Sequence, residues 1–128
     1  MLTIRFYGMA FSGQGRGKIF LEMPWVNKQI KEITGFTPYL GTLNLRLTPV
    51  STQQRSRLTP ELGKLIKPKD NYLPGYLYKA KIGEIDCYIV LPKVPGYPAD
   101  VLEIVAAENL RNQLGLKDGD AVTVIVTA

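Results

Sequence analysis

Short segments with alternating apolar and polar residues recur along most of this chain. In the clearest of them, Leu43, Leu45 and Leu47 alternate with polar residues. A period of two is typical of a β-strand with one buried face, because successive side chains point to opposite sides. Further segments that alternate or are continuously apolar lie at 2–10, 76–82, 85–92, 101–107 and 121–126. We therefore predict a mostly β protein.

Helical periodicity is confined to two short stretches. Residues 24–35 place apolar side chains at helical spacing, with Pro24 suited to the first turn and Gly35 to the position after the last. A second short helix is predicted at 108–116. Helices this few and brief argue against a βαβ sheet, and closing the sheet removes exposed strand edges. We expect one domain over residues 1–128, a six- to seven-stranded β-barrel with two short helices.

Three alternating glycines punctuate the first loop, which reads SGQGRGKIF over residues 12–20. Glycines leave backbone N–H groups accessible to phosphate oxygens. The spacing fits neither a Walker A loop nor a Rossmann fingerprint. We predict that residues 18–23 form a second strand, which would also exclude the strand–loop–helix context of those motifs. The loop is then either a mobile hairpin turn or a phosphate-binding loop.

Two further patterns offer oxygen atoms to a ligand. Thr42 and Asn44 lie at i and i+2 on a strand, so their side chains share the face opposite the leucines. Glu103 lies within the apolar strand VLEIV, where a carboxylate either faces water or serves a site. Two neutral oxygens suffice for Mg²⁺ when phosphates supply the charge. The alternative is an ordinary polar strand face exposed to solvent.

Composition limits the chemistry that the chain can perform. It has no histidine and one cysteine, which excludes imidazole metal sites and His-dependent triads. Cys87 lies in a predicted strand and is expected to be buried. The net charge of +5 favours anionic partners such as nucleotides. The chain has neither a signal-peptide pattern nor an apolar run of about 20 residues, so we expect a cytoplasmic protein without a membrane partner.

In order and spacing, these segments resemble the archaeal-type CTP-dependent riboflavin kinase family. The resemblance is carried by SGQGRGKIFLEMP, ITGFTPYLGTLNLRL, IDCYIVLP, VLEIVAAENLRNQLGLKDGD and the final valine strand. It covers most of residues 8–126, with a gap at 48–71, and the stretch through GTLNL is its most specific part. The resemblance implies a cradle-loop barrel that transfers the terminal phosphate of CTP to riboflavin, giving FMN and CDP.

The resemblance also implies roles for individual residues. Thr42 and Asn44 would hold Mg²⁺, and Pro95 and Glu103 would lie at the flavin. The residues implied at the nucleotide are Gly13, Gln14, Gly15, Arg16, Gly17, Lys18, Glu108, Asn109, Leu110 and Arg111. Among these, Arg16 and Lys18 are candidates for stabilising charge in the transition state, and no general base is assigned.

Pro95 departs from the family pattern, in which a threonine is expected at this position. Proline offers neither a hydroxyl nor an N–H group. This leaves open a kinase with a different small-molecule acceptor. A non-enzymatic barrel that binds nucleic acid is the other alternative. It is disfavoured because lysines and arginines are spread along the chain rather than gathered in one stripe. We expect a monomer.

Overall fold

Within residues 2–127, seven antiparallel strands form one sheet, and six of them close into a barrel. The computed structural model describes residues 2–127. The strands are β1 (Thr3–Phe11), β2 (Leu43–Leu47), β3 (Lys64–Ile66), β4 (Gly75–Ile82), β5 (Ile85–Pro92), β6 (Val101–Val105) and β7 (Ala121–Thr127). The barrel runs β4-β5-β6-β2-β1-β7 and closes through β4 and β7, while β3 extends the sheet beside the start of β4.

The alternation in the sequence places the apolar side chains inside the barrel. Leu43, Leu45 and Leu47 are buried in its interior together with Phe6 and Ile104. The opposite face of β2 is left for polar side chains, as the alternation predicts. The barrel interior is therefore filled, and the site has to form on an outer face.

The β4–β5 hairpin turns at Gly83, between the predicted segments 76–82 and 85–92. Its register pairs Ile82 with Ile85. Gly83 has a φ of 58°, a left-handed conformation that glycine adopts without strain. Cys87 on β5 is fully buried, and burial raises the pKa of its thiol to about 12. It is a core residue, as expected.

In the described part of the chain, four short α-helices lie outside the barrel. They are α1 (Arg16–Glu22), α2 (Pro24–Thr34), α3 (Pro49–Gln54) and α4 (Leu110–Leu114), with 3₁₀ turns at Arg55–Arg57 and Pro60–Leu62. A second apolar cluster joins α1 and α2 to the outer barrel face through Leu21, Val26, Ile30, Val90 and Val105. This helix layer covers one end of the β5–β6 surface.

The prediction of a strand at residues 18–23 is wrong. This segment lies mostly in α1, so the glycine loop connects a strand to a helix, although its spacing still differs from the Walker A and Rossmann motifs. The seventh strand is instead β3, in the polar middle of the chain. Leu21 decides the outcome, because the helix buries it completely against the barrel. The described residues also form four α-helices rather than the predicted two.

Helices α2 and α4 match the two predicted segments. Pro24 opens α2, and Gly35 ends it with a φ of 82°. Within residues 2–127, no helix combines the length and apolar character needed to cross a membrane.

Candidate functional site

A cavity of about 780 Å³ opens on the outer face of the barrel. Its walls come from the loop after β1, the start of α1, β2, β6 and the loop between β5 and β6. Most of the residues predicted to form the site line this one cavity: Gly13, Gln14, Gly15, Arg16, Gly17, Lys18, Thr42, Asn44, Pro95 and Glu103. The structure thus brings together residues that lie far apart in the sequence.

At the floor of the cavity, Asn44 and Glu103 are direct partners across the β2–β6 ladder. The Thr42 hydroxyl donates to Glu103 Oε1 at 3.1 Å and lies 3.2 Å from the Asn44 amide. All three residues are half-buried. The register of two neighbouring strands therefore gathers a hydroxyl, an amide and a carboxylate into one polar cluster, which we call the Thr42–Asn44–Glu103 cluster.

The Asn44 amide has two usable orientations. With its nitrogen toward Glu103, it donates to Oε1 at 3.2 Å, and its oxygen accepts from the Gly13 N–H at 3.2 Å. This orientation satisfies more hydrogen bonds, and we prefer it for the protein alone. Rotating the amide by 180° turns its oxygen toward Thr42 and Glu103 instead. Asn44 can thus face the cluster as a donor or as an oxygen ligand.

The donor set of this cluster fits a hard divalent cation. With the Asn44 oxygen turned toward the cluster, the oxygens of Thr42 and Asn44 lie 3.2 Å apart, close to the roughly 3 Å that separates adjacent ligands around Mg²⁺ at bond lengths of about 2.1 Å. Residues 2–127 contain no group of three or more His, Cys, Asp or Glu side chains that could hold a metal ion. A cation here would need a second source of negative charge, such as a phosphorylated ligand.

Two glycines of the loop pack directly on this cluster. A Cβ on Gly17 would lie 2.5 Å from Thr42 Oγ1, and a Cβ on Gly13 would collide with the Asn44 amide. Gly15 has open space around it but a φ of 79°. Glycine is required at 13 and 17 because the backbone there lies too close to Asn44 and Thr42 for a Cβ atom. At 15, glycine is favoured because the backbone is left-handed. The loop is thus fitted to the polar cluster and is not an arbitrary hairpin turn.

The glycine loop also presents backbone donors near the cavity. The Ile19 N–H donates to the Gly15 carbonyl at 3.1 Å. The N–H groups of residues 16–18 lie in the first turn of α1, ahead of this hydrogen bond, and have no carbonyl acceptor within the helix. Together with the accessible glycines, they can serve oxygen atoms of an anion.

Three cationic side chains line the cavity. Arg16 and Lys18 come from α1, and exposed Lys18 lies 3.8 Å from Glu22. Arg46 was not identified from the sequence. It follows Asn44 by two positions on the same strand face, which was the available signal. Its guanidinium stacks 4.5 Å from the Phe11 ring centroid and pairs with Asp100 at 3.1 Å. The cavity is therefore suited to an anionic ligand.

Pro95 lies in the β5–β6 loop, residues 93–100, which forms another wall of the cavity. From this loop, the Tyr97 hydroxyl donates to Glu103 Oε2 at 2.6 Å. Burial, followed by the nearby Glu103 charge, raises the pKa of Tyr97 well above its usual value, so its hydroxyl stays protonated. Sequence reasoning did not find this contact, because it depends on how the loop folds back over β6.

The predicted residues 108–111 lie outside the cavity lining. Leu110 is buried in the barrel core, and Asn109 caps α4 by accepting from the Asn112 N–H at 3.3 Å. Arg111 approaches the rim of the cavity, where it donates to the Phe11 carbonyl at 3.4 Å and pairs with Asp118 at 2.7 Å. Glu108 is exposed. This segment adjoins the site without forming its surface.

Comparison with known proteins gives a consistent set of similarities. A family model named CTP-dep_RFKase, described as "Domain of unknown function DUF120", matches residues 10–126. A protein named riboflavin kinase from Archaeoglobus fulgidus is 41% identical over 97% of the chain. Proteins of the same name from Pyrobaculum islandicum and Pyrobaculum aerophilum are each 38% identical, over 97% and 95% of the chain.

The similarity covers only part of these relatives. The chain spans 55% of the Archaeoglobus protein, 61% of the P. islandicum protein and 60% of the P. aerophilum protein. The matched part contains the glycine loop, β2 and β6. It therefore includes the cavity and the polar cluster at its floor.

Proposed function

Since the chain belongs to the CTP-dependent riboflavin kinase family, we propose that it transfers the γ-phosphoryl group of CTP to the ribityl 5′-hydroxyl of riboflavin. The bond between the β,γ-bridging oxygen and the γ-phosphorus breaks, and a bond from the 5′-oxygen to that phosphorus forms. The products are FMN and CDP. One observation carries the proposal: the Thr42–Asn44–Glu103 cluster lies against the glycine loop inside one cavity.

The glycine loop is assigned to the triphosphate. Gly13 and Gly17 let the backbone lie close to the floor of the cavity, and amides of residues 16–18 can donate to phosphate oxygens. Arg16 and Lys18 add positive charge beside this backbone. Phosphoryl transfer depends mainly on alignment and charge stabilisation, and these groups can contribute to both.

Thr42 and Asn44 would hold Mg²⁺, with the Asn44 oxygen turned toward the cluster. When bound, Mg²⁺ neutralises phosphate charge and helps to align the triphosphate. Glu103 Oε1 lies 3.1 Å from the Thr42 hydroxyl, and its Oε2 accepts from Tyr97 in the wall formed by residues 94–98.

The riboflavin side of the cavity is assigned to Pro95 and Glu103. Pro95 contributes an apolar wall, while Glu103 offers the carboxylate that a ribityl hydroxyl can donate to. Residues 108–111 are assigned to the nucleotide end, where Arg111 reaches the rim beside Phe11. The proposal includes a monomeric, cytoplasmic enzyme, as expected from the sequence.

The test is direct. The protein is incubated with riboflavin and Mg²⁺ and with either CTP or ATP, and flavins are separated by chromatography. We expect FMN with CTP and much less with ATP. A parallel reaction with EDTA should give none. Failure to form FMN with either nucleotide, under conditions in which the protein is folded, would refute the proposal.

A further inference from the structure

The two carboxylate oxygens of Glu103 have different partners. Oε1 accepts from the Thr42 hydroxyl at 3.1 Å, on the side of the glycine loop. Oε2 accepts from the Tyr97 hydroxyl at 2.6 Å, on the side of the β5–β6 loop. Hydrogen bonds to a charged acceptor are shorter and stronger than neutral ones. Contacts at both oxygens therefore fix the rotation of the carboxylate.

Tyr97 is itself anchored from outside the cavity floor. The Arg55 guanidinium lies 5.3 Å from the centroid of its ring. Arg55 also donates to the backbone carbonyls of Pro98 at 2.5 Å and Val101 at 2.8 Å. One arginine thus holds both the tyrosine ring and the backbone that leads into β6, which places the Tyr97 hydroxyl over Glu103.

We propose that Tyr97 is a positioning residue that sets the orientation of Glu103 toward the acceptor substrate. This inference rests on the proposed function. Without the Tyr97 hydroxyl, Oε2 loses its partner, and the carboxylate is free to rotate about its terminal torsion. The effect falls on the acceptor side, because the hydroxyl bonds the Glu103 oxygen that faces away from Thr42 and the glycine loop.

The tyrosine ring could instead contribute by stacking on the planar flavin. The two roles make different demands on the side chain. Stacking needs only the ring, which phenylalanine retains, whereas orientation of Glu103 needs the hydroxyl. Tyr97→Phe therefore separates them.

The experiment is a double-mutant cycle with Tyr97→Phe, Glu103→Ala and the double variant. Riboflavin dissociation constants are measured by quenching of flavin fluorescence, which does not require turnover. FMN formation then gives KM for CTP in the wild type and in Tyr97→Phe. Tyr88→Phe is the matched control, since Tyr88 is half-buried, packs on Phe36 and does not line the cavity.

We expect Tyr97→Phe to weaken riboflavin binding about tenfold, as loss of one hydrogen bond to a charged group does. KM for CTP should stay within about twofold. In the Glu103→Ala background, the same change should have no further effect, because the partner is already gone. Tyr88→Phe should bind riboflavin like the wild type.

Three results would overturn the inference. The first is unchanged riboflavin binding in Tyr97→Phe. The second is a loss that persists undiminished in the Glu103→Ala background, which would show that Tyr97 acts independently of Glu103. The third is a wild-type protein that neither binds riboflavin nor forms FMN, which removes the proposed function as well. If the wild type forms FMN and Tyr97→Phe binds riboflavin equally well, the positioning role is rejected and the proposed function stands.

Discussion

Gly17 packs against Thr42 so closely that a Cβ atom on the glycine would lie 2.5 Å from Oγ1 and 2.8 Å from Cγ2 of the threonine. The same Cβ would lie 2.8 Å from Glu103 Oε1. The first turn of α1 therefore rests directly on the Thr42–Asn44–Glu103 cluster. A single contact joins the proposed phosphate-binding loop to the proposed cation site.

Gly17→Ala should disrupt both sides of that contact. The added methyl must push α1 away from Thr42, and overpacking of this kind costs about 1–3 kcal/mol. We expect CTP affinity in the presence of Mg²⁺ to fall about tenfold, measured by isothermal titration calorimetry.

Gly83→Ala is the matched control for this variant. Gly83 has a φ of 58°, and a Cβ added to it would meet no atom within 4 Å, so alanine there strains only a turn outside the cavity. It should lower the melting temperature while leaving CTP affinity unchanged. Equal affinities for Gly17→Ala and wild type would remove the loop from the nucleotide site.

Asn44→Ala should abolish Mg²⁺-dependent turnover and leave the fold intact, because Asn44 points away from the buried leucines of β2. Removing a group that only orients a metal ligand lowers metal affinity or activity about 10–100-fold. Removing a ligand itself should therefore lower turnover at least about 100-fold. FMN formation as a function of Mg²⁺ concentration gives the effect. Asn71→Ala, at an exposed position outside the cavity, should behave like the wild type. A large fall in melting temperature for Asn44→Ala would show instead that Asn44 is structural.

Cys87 should resist thiol reagents in the folded protein. Burial, followed by the nearby Asp86 charge, raises its pKa to about 12, so the neutral thiol dominates at pH 8. The thiolate is the reactive form, so the raised pKa and the burial both protect this side chain. Reaction with a chromogenic disulfide should therefore follow unfolding by denaturant. Rapid labelling without denaturant would contradict the buried placement.

Asp118 should make stability depend on pH in the acid range. Its hydrogen bonds with Arg111 and then Ser12 hold the pKa below the usual 3.8. A carboxylate with a lowered folded-state pKa stabilises the protein above about pH 4, and that stabilisation is lost as the pH falls further. Asp118→Asn should melt lower than the wild type at pH 7, and the difference should shrink below pH 4. Because Asp118 is exposed, the difference is expected to be small.

Asp86→Asn serves as the control in this series. Asp86 also forms an exposed ion pair, with Lys81 at 3.5 Å, but it lies on the β4–β5 hairpin away from the glycine loop. A difference in melting temperature between wild type and Asp118→Asn that stays constant across the whole pH range would contradict the pH-dependent stabilisation assigned to Asp118.

The six barrel strands and helices α2 and α4 were accessible from the sequence because their signals are local. The leucine alternation of β2 and the Pro24 and Gly35 boundaries of α2 each lie within one segment. Thr48 and Pro49 also carry a usable helix-start signal for α3, since the Thr48 hydroxyl accepts from the Ser51 N–H at 3.3 Å. That signal was not recognised.

Helix α1 could not be assigned from its own residues. The short apolar run Ile19, Phe20 and Leu21 fits a strand as well as a helix, and tertiary packing decides between them. Here burial of Leu21 between α2 and the barrel favours the helix. Thr42 and Asn44 were identified from their spacing on one strand, which is a local signal. The contact between Tyr97 and Glu103 was missed because it depends on a loop conformation that no local pattern specifies.

The pairing of Asn44 with Glu103 across β2 and β6 has a consequence for folding. Thr42 and Glu103 are 61 positions apart in the chain, so the site has no local precursor. Contacts between such distant segments form slowly, because chain entropy is lost before they stabilise the structure. A ribosome-bound nascent chain that has released the glycine loop and β2 still lacks β6. Competence to bind the nucleotide should therefore emerge only after β6 has been released from the ribosome.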